Sequence, residues 1–316
     1  MYILVADIGG TNVKVGMYTE GRMLATSSFK VDSTKGLITV LPLIDVALKN
    51  ICSVQQVHIE DCEGFGVAIA CMVNSYSNKI IATVKGKYDD APALDLSAWA
   101  KNSLGLKLKL ETDVRAALIG EWQYGNGRGY NDLVGMFLGT GIGTAVLLKG
   151  KLLYGSNFQA GLLGGHFIIN PHGRECTCGG RGCITAESST AVLPSIVKDH
   201  PDFMRSSLSK SPRIDYEVLF QLAAQGDAVA LQVRDRSIDI WSSCIVSLIH
   251  AFDPELVIVG GGVMSSADVI LPHINDFVSK YSFTPGRKVK AEKAKYLDWA
   301  ALWGMSYIIE HGIESL

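Results

Sequence analysis

The chain has 316 residues, 48% of them apolar and 19% charged, with 29 basic side chains against 31 acidic and a net charge of −2. That balance argues against a nucleic-acid surface, and the length suits two globular domains better than one small core. No leader or spanning helix is expected: Met1 runs straight into a strand-like stretch, and glycine, Asp253 or Pro254 break the long apolar runs. The expectation is a cytoplasmic protein with neither a membrane nor a nucleic-acid partner.

Residues 2–7, 13–18 and 23–29 read as strands joined by short glycine turns. Helical spacing follows at 37–50, strands at 64–70 and 80–84, a helix at 96–104, a strand at 107–111 and a helix at 114–124. Asn126-Gly127-Arg128-Gly129 breaks the pattern. The opening layout then returns: a strand at 133–138, a turn at Gly139-Thr140-Gly141-Ile142-Gly143, and a strand at 144–148. Two halves of similar architecture, each offering a glycine hairpin, are expected. Helical stretches lie at 188–197, 216–225 and 228–251, with a polar loop at 206–211 ahead of Pro212. A buried strand at 256–259 runs into Gly260-Gly261-Gly262, a last strand is expected at 289–292, and a closing helix at 300–311. Strands and helices mixed throughout make the class α/β.

The first turn carries Asp7-Ile8-Gly9-Gly10-Thr11-Asn12. Glycines let backbone N–H groups approach phosphate oxygens, Thr11 adds a hydroxyl, and a strand-end carboxylate such as Asp7 can hold Mg2+ through water. The same residues also make an ordinary hairpin turn. The chain contains no G-x-x-x-x-G-K-[ST] and no G-x-G-x-x-G opening a helix after the first strand, which argues against a P-loop and a dinucleotide site. Two glycine hairpins, at Gly9-Gly10-Thr11 and Gly139-Thr140-Gly141, suit a nucleoside triphosphate. Gly260, Gly261 and Gly262 suit a flat adenine or ribose, or simply a strand-to-helix turn. Asp113, between a strand and a helix, can act as a general base or cap the helix; on position alone the cap is favoured.

His166 with Cys176, Cys178 and Cys183 is the ligand set of a closed tetrahedral zinc site. Gly179, Gly180 and Gly182 allow the tight turns that would aim three sulfurs at one point. A disulfide plus a spare thiol, or an unrelated core histidine, are the other readings. Cys52, Cys62, Cys71 and Cys244 sit among apolar residues and read as buried thiols.

Together these segments resemble the ROK family (repressors, open reading frames and sugar kinases) of the actin-like ATPase superfamily, across nearly the whole chain. Asp7-Ile8-Gly9-Gly10-Thr11 is similar to its first phosphate motif and Leu138-Gly139-Thr140-Gly141-Ile142-Gly143 to its second. Cys176-Thr177-Cys178-Gly179-Gly180-Arg181-Gly182-Cys183, with His166 upstream, is similar to its zinc motif. The resemblance implies a two-domain actin-like (ribonuclease H-like) fold with ATP and Mg2+ bound in an interdomain cleft. It implies a smaller domain of residues 1–116 plus 296–316, a larger one of residues 117–295, structural Zn2+, and a homodimer. Asp113 falls where the family places its catalytic base, which implies phosphorylation of a sugar hydroxyl, typically at C6. The corresponding sugar contacts would be Thr112, Leu163, His166, Thr185 and Glu187.

Several positions depart from the family pattern. Thr112 stands for an asparagine, Ala160-Gly161-Leu162-Leu163-Gly164-Gly165-His166 replaces A-G-E-x-G-H with one residue more, and Thr185 stands for a glutamate. Cys71-Met72 replaces a Pro-Gly, and Arg115 a residue that is commonly neutral. The nucleotide half therefore follows the family and the sugar half does not, which points to a sugar other than plain glucose. A sugar-binding sensor without a DNA-binding domain is the alternative.

Overall fold

The computed structural model describes residues 1–313. In chain order the strands are β1 (Tyr2–Ile8), β2 (Asn12–Thr19), β3 (Arg22–Lys30), β4 (Cys62–Ile69), β5 (Met72–Asn74), β6 (Lys79–Ala82), β7 (Leu108–Thr112), β8 (Leu133–Leu138), β9 (Ile142–Leu148), β10 (Lys151–Leu152), β11 (Leu256–Gly260) and β12 (Lys290–Lys293). The α-helices are α1 (Leu41–Gln55), α2 (Leu96–Leu104), α3 (Asp113–Tyr124), α4 (Ile184–Ser188), α5 (Leu193–Lys198), α6 (Tyr216–Ala224), α7 (Ala228–Phe252), α8 (Ala267–Tyr281) and α9 (Ala300–His311).

Contacts divide the chain into two compact units. The first holds residues 1–129, 150–160 and the C-terminal stretch from Asp298; the second holds 130–149 and 161–297. From the sequence, breaks are expected after residues 116 and 295. Contacts instead keep α3 whole in the first unit, because it packs along α9, and they also bring 150–160 into that unit.

The sheet of the first unit has the order β3-β2-β1-β4-β7. β1 pairs antiparallel with β2 across the glycine turn and parallel with β4, which pairs parallel with β7. A short turn suffices for the antiparallel step, whereas each parallel step needs a crossover, supplied by α1 and α2. Leu41, Ile44, Leu48, Ile51 and Cys52 of α1 join the core with Leu4, Ala6 and Ile8 of β1. Each leucine or isoleucine among them, once fully buried, contributes about 1.5–3 kcal/mol. The stretch Leu37–Gln55 is long and apolar enough, on length and composition, to cross a membrane. Here its inner face is instead part of this core.

Helices α3 and α9 meet backbone to backbone. A Cβ on Gly120 would lie 2.1 Å from the Ala300 carbonyl oxygen, and one on Gly304 would lie 1.8 Å from that of Ala116. Small residues spaced four apart on both helices, Ala116 with Gly120 and Ala300 with Gly304, permit the approach.

The second unit repeats the opening pattern. β8 pairs antiparallel with β9 and parallel with β11, which pairs parallel with β12. Trp241, Ile245 and Leu248 of α7 are fully buried, as are Val257, Ile258 and Val259 of β11. No element is expected from the sequence at 263–288, where α8 lies. Its buried stripe Ala267, Ile270, Ile274 and Val278 has helical spacing, but Pro272 inside the helix removes an N–H donor and hides the pattern. The helix expected at 188–197 begins only at Leu193, as α5; α4 has already ended at Ser188, where Ser189 takes an extended conformation.

Candidate active site and metal centre

In the first unit the turn between β1 and β2 is closed by the Gly9 N–H donating to the Asn12 carbonyl at 3.0 Å. The carbonyls of Gly10 and Thr11 accept from the N–H groups of Ser33 and Val31. Their own N–H groups find no acceptor among the described residues. A Cβ on Gly10 would meet only Ser33 Oγ at 3.6 Å and the Lys87 side chain at 3.8 Å, both ordinary contact distances. Nothing in the fold demands glycine there, so the bare backbone leaves room for something outside the chain.

The turn at Gly139-Thr140-Gly141 in the second unit is built the same way. Gly139 N–H donates to the Gly141 carbonyl at 3.0 Å, and the Gly139 carbonyl accepts from Thr190 N–H. The N–H groups of Thr140 and Gly141 lack acceptors among the described residues. A Cβ on Gly139 or Gly141 would come no closer than 3.7 Å to anything. Paired free amides on an uncluttered turn are an anion cradle. Gly260 and Gly261 differ. A Cβ on Gly260 would meet the Phe137 ring at 2.6 Å, and Gly261 combines φ 91 with a Cβ position 2.2 Å from the Leu138 carbonyl oxygen. Those two glycines let β11 turn tightly into the 3-10 helix Gly262–Ser266, as a strand-to-helix turn requires.

Asp113 is the first residue of α3, so Thr112, not Asp113, holds the cap position. The Asp113 Oδ1 accepts from the N–H of Val114 at 2.8 Å. Its pKa is pushed up to about 7, first by burial and then by the charge of Asp7; the Val114 N–H and Lys14 pull the other way. Asp7 stands opposite Lys14 in the β1–β2 register, with Lys14 Nζ 3.4 Å from Asp7 Oδ2. Burial raises the Asp7 carboxyl above its usual range, against the pull of Lys14. Two residues that the motifs do not flag join this group. Lys87 hangs its side chain beside Gly10, and the Tyr88 hydroxyl donates to the Gly9 carbonyl at 2.8 Å, tying that loop to the turn. Lys14 could have been found by counting register across the hairpin; Lys87 leaves no such signal.

Beneath Asp113 lies a buried polar network. Glu111 Oε2 accepts from the Tyr154 hydroxyl at 2.7 Å and from Ser75 Oγ at 2.8 Å, and Oε1 from the Thr112 N–H at 2.7 Å. Arg115, 1% exposed, has Nη1 3.8 Å from Glu111 and donates through Nη2 to the carbonyls of Leu153, Phe158 and Ala160. Arg115 thus straps the 153–160 loop to α3. Thr112 Oγ1 donates to the Cys71 carbonyl at 3.3 Å.

In the second unit His166, Cys176, Cys178 and Cys183 offer four ligand atoms, all within 4.8 Å of one another. Cys178 Sγ lies 3.7 Å from Cys183 Sγ, and His166 Nδ1 lies 3.6 Å from Cys176 Sγ. A disulfide would need about 2.05 Å. These separations are the edges of a tetrahedron whose centre lies about 2.3 Å from each sulfur and about 2.0–2.1 Å from nitrogen. Burial holds the His166 imidazole below its usual pKa, in the neutral form that a metal takes. The cluster can therefore hold a metal ion.

Helix α4 starts directly after Cys183 and leads to the phosphate-type turn. Thr185 Oγ1 accepts from the Ile142 N–H at 3.3 Å. Glu187 is buried with both oxygens taken, Oε1 by the Arg174 N–H at 2.7 Å and Oε2 by the Arg236 guanidinium. It braces the metal loop against α7, through one nitrogen donor on each carboxylate oxygen. Leu162 is buried and Leu163 half-buried. Their segment is clamped by Thr144 Oγ1, which donates to the Gly161 carbonyl at 2.7 Å and accepts from the Gly164 N–H at 2.9 Å.

Two α/β units, each opening on a hairpin with a free-amide turn, define the actin-like ATPase class of fold. The chain belongs to the ROK family, which it matches over residues 3–311. It is 29% identical over 320 residues to the glucokinase of Thermotoga maritima, covering 98% of each chain. A glucokinase of Halalkalibacterium halodurans is 26% identical over 286 residues, covering 87% of this chain and 84% of that one. In structure the chain is similar to a ROK family glucokinase from Streptomyces griseus, solved in complex with glucose and AMPPNP. The TM-score is 0.84, the identity 24%, and the match covers 99% of this chain and 100% of that one.

Proposed function

We propose that the chain transfers the γ-phosphoryl group of ATP to a hydroxyl of a hexose or modified hexose, at C6. The observation that supports this most is the pair of turns at 9–11 and 139–141, where the amides of Gly10, Thr11, Thr140 and Gly141 have no acceptor among the described residues and the missing Cβ atoms of Gly10, Gly139 and Gly141 serve no need of the fold itself. Asp113 orients the sugar hydroxyl and takes its proton as the oxygen attacks phosphorus. The turn amides, with Lys87 beside the first turn, stabilise charge on the transferring group. Asp7 would hold Mg2+ through water, and a single carboxylate suits an ion that keeps most of its hydration. His166, Cys176, Cys178 and Cys183 would hold structural zinc.

The sugar-facing groups narrow the choice of substrate. Glu187 is committed to Arg174 and Arg236, and the hydroxyls of Thr112 and Thr185 are already bonded to the backbone. With Nδ1 on the metal, His166 keeps its Nε2–H for a sugar hydroxyl. A site with so few free polar groups suits a substituted sugar better than glucose. Hydrogen bonds to a charged carboxylate are worth about 1.5–3 kcal/mol each, so their absence alters preference among sugars.

The test is ADP release over a panel of hexoses and their N-acyl, deoxy and glycosidic derivatives. Asp113→Asn should lower kcat at least about 100-fold on every sugar that wild type accepts. Sugar-dependent turnover that survives this substitution overturns the assignment of the base. A wild-type preference for glucose over every derivative overturns the substituted-sugar reading.

A further inference from the structure

We propose that the cavity between α8 and β12 is a second anion site, which binds the phosphate group of a small phosphate monoester through Lys288, Lys290, Ser279 and Thr284. It lies wholly within the second unit and shares no residue with the glycine turns, the metal cluster or Asp113.

Positive charge is concentrated on this stretch of chain. Between 287 and 295 it carries Arg287, Lys288, Lys290, Lys293 and Lys295 against one carboxylate, Glu292, although acidic side chains outnumber basic ones in the chain as a whole. Arg287 is paired with Glu255 at 3.2 Å. Lys288 and Lys290 have no carboxylate partner among the described residues. Both are exposed and flank the buried Val289, the alternation of a chain entering a strand, so they face the same side.

Helix α8 supplies the other wall. Asn275 and Ser279 are four residues apart and share a face, and Ser282 follows at the helix end. Asn275 Nδ2 donates to the Ala291 carbonyl at 3.0 Å, and its Oδ1 accepts from the Ala291 N–H at 2.9 Å. Helix and strand are thereby pinned together before anything binds. The cavity between them measures about 460 Å3, and its lining holds no carboxylate. Lys288 Nζ reaches Ser279 Oγ at 3.5 Å. The Lys290 ammonium and the Thr284 hydroxyl have no partner among the described residues.

Charge and donor count decide the class of ligand. The two ammonium groups bring two positive charges, and the C-terminal end of α8 offsets roughly half of one. A phosphate monoester carries a charge of about −1.5 to −2 at pH 7 and three terminal oxygens, which suit two ammonium and two hydroxyl donors. A carboxylate brings one charge and two oxygens, and leaves a lysine unmatched. The phosphate group occupies only part of the cavity, whose volume is in the range of small-molecule pockets, so the rest accepts the body of the ligand.

The experiment is isothermal titration with inorganic phosphate, glucose 6-phosphate and AMP, and with sodium sulfate at matched ionic strength. It uses wild type, Lys288→Ala/Lys290→Ala and Lys290→Glu, with thermal unfolding to check that each variant folds. The three phosphates distinguish the bare group from a sugar or nucleoside ester. Wild type should bind at least one ester at millimolar concentration or below, and both variants should weaken it at least about tenfold. Affinity for Mg·AMPPNP should stay within about twofold of wild type in both variants. Ester binding that is as tight in the variants overturns the proposal, as does the absence of ester binding to wild type up to about 10 mM. Sulfate bound as tightly as every ester marks an adventitious ion only, and also overturns it. Ester and Mg·AMPPNP affinity lost together would show that the site is not separate from the turns, which overturns it as well.

Discussion

The proposed role of Asp113 as base requires its ionised form, and its surroundings set when that is present. Burial and the neighbouring Asp7 charge hold its pKa up to about 7, and Lys14 holds it down. In the free enzyme kcat/KM for the sugar should therefore rise with pH through about 7 and level off above it. Lys14→Met removes a positive charge that favours the ionised carboxylate, so the acid limb should move to higher pH. A pH profile of Lys14→Met whose limb stays in place or moves to lower pH would refute this account of the shift. Arg115 has a different role at the same scale. It is almost wholly buried against Glu111, and removing one partner of such a pair leaves the other charge stranded, at about 3–5 kcal/mol. The sequence shows Arg115 only as an unusual residue. That it straps the 153–160 loop could not be read there, because its acceptors are backbone carbonyls some 40 residues away.

At the scale of the element, the metal loop, α4 and the turn at 139–141 form one assembly. Cys183 ends the metal loop and opens α4, Thr185 on α4 holds the Ile142 N–H, and Thr190 holds the Gly139 carbonyl. A metal held by the cluster would therefore position the turn at 139–141, the proposed nucleotide contact. Thr185→Val keeps the side-chain shape and removes one hydrogen bond worth about 1 kcal/mol, so KM for ATP should rise roughly fivefold. Metal content should remain one ion per chain. Cys178→Ser should raise the same KM while lowering the bound metal, measured by elemental mass spectrometry. An unaltered KM for ATP in both variants would uncouple the clip from the turn. The ligand quartet and both glycine turns are legible in the sequence, because each is a local run of residues with a chemical purpose. The surroundings of Glu187 are not: the sequence suggests a sugar contact there, and only the fold shows that Arg236, 49 residues along the chain, also holds its carboxylate. Leu163 reads as a pocket residue in the sequence, and the fold adds that Thr144 on β9 clamps its segment at Gly161 and Gly164.

Taken whole, the molecule is one pattern used twice, and the first unit is completed only by the C-terminal helix. The repeat of hairpin and parallel strands is visible in the sequence as strand, glycine turn, strand. The return of α9 to α3 is marked more faintly, by small residues four apart on each helix, and it is the contact that keeps α3 with the first unit. Gly304→Ala tests how far that contact carries. Its Cβ would lie 1.8 Å from the Ala116 carbonyl oxygen, so the two helices must separate. Overpacking of this kind costs about 1–3 kcal/mol. Four of the five tryptophans, Trp99, Trp122, Trp299 and Trp303, belong to the first unit, and the metal cluster belongs to the second. In a urea titration, tryptophan fluorescence therefore reports mainly on the first unit and metal release on the second. Gly304→Ala should lower the fluorescence midpoint and leave the metal-release midpoint where wild type has it, because no residue that Gly304 crowds lies in the second unit. If both midpoints fall together, the units unfold as one, and the α3–α9 contact stabilises the entire chain rather than the unit that carries Asp113.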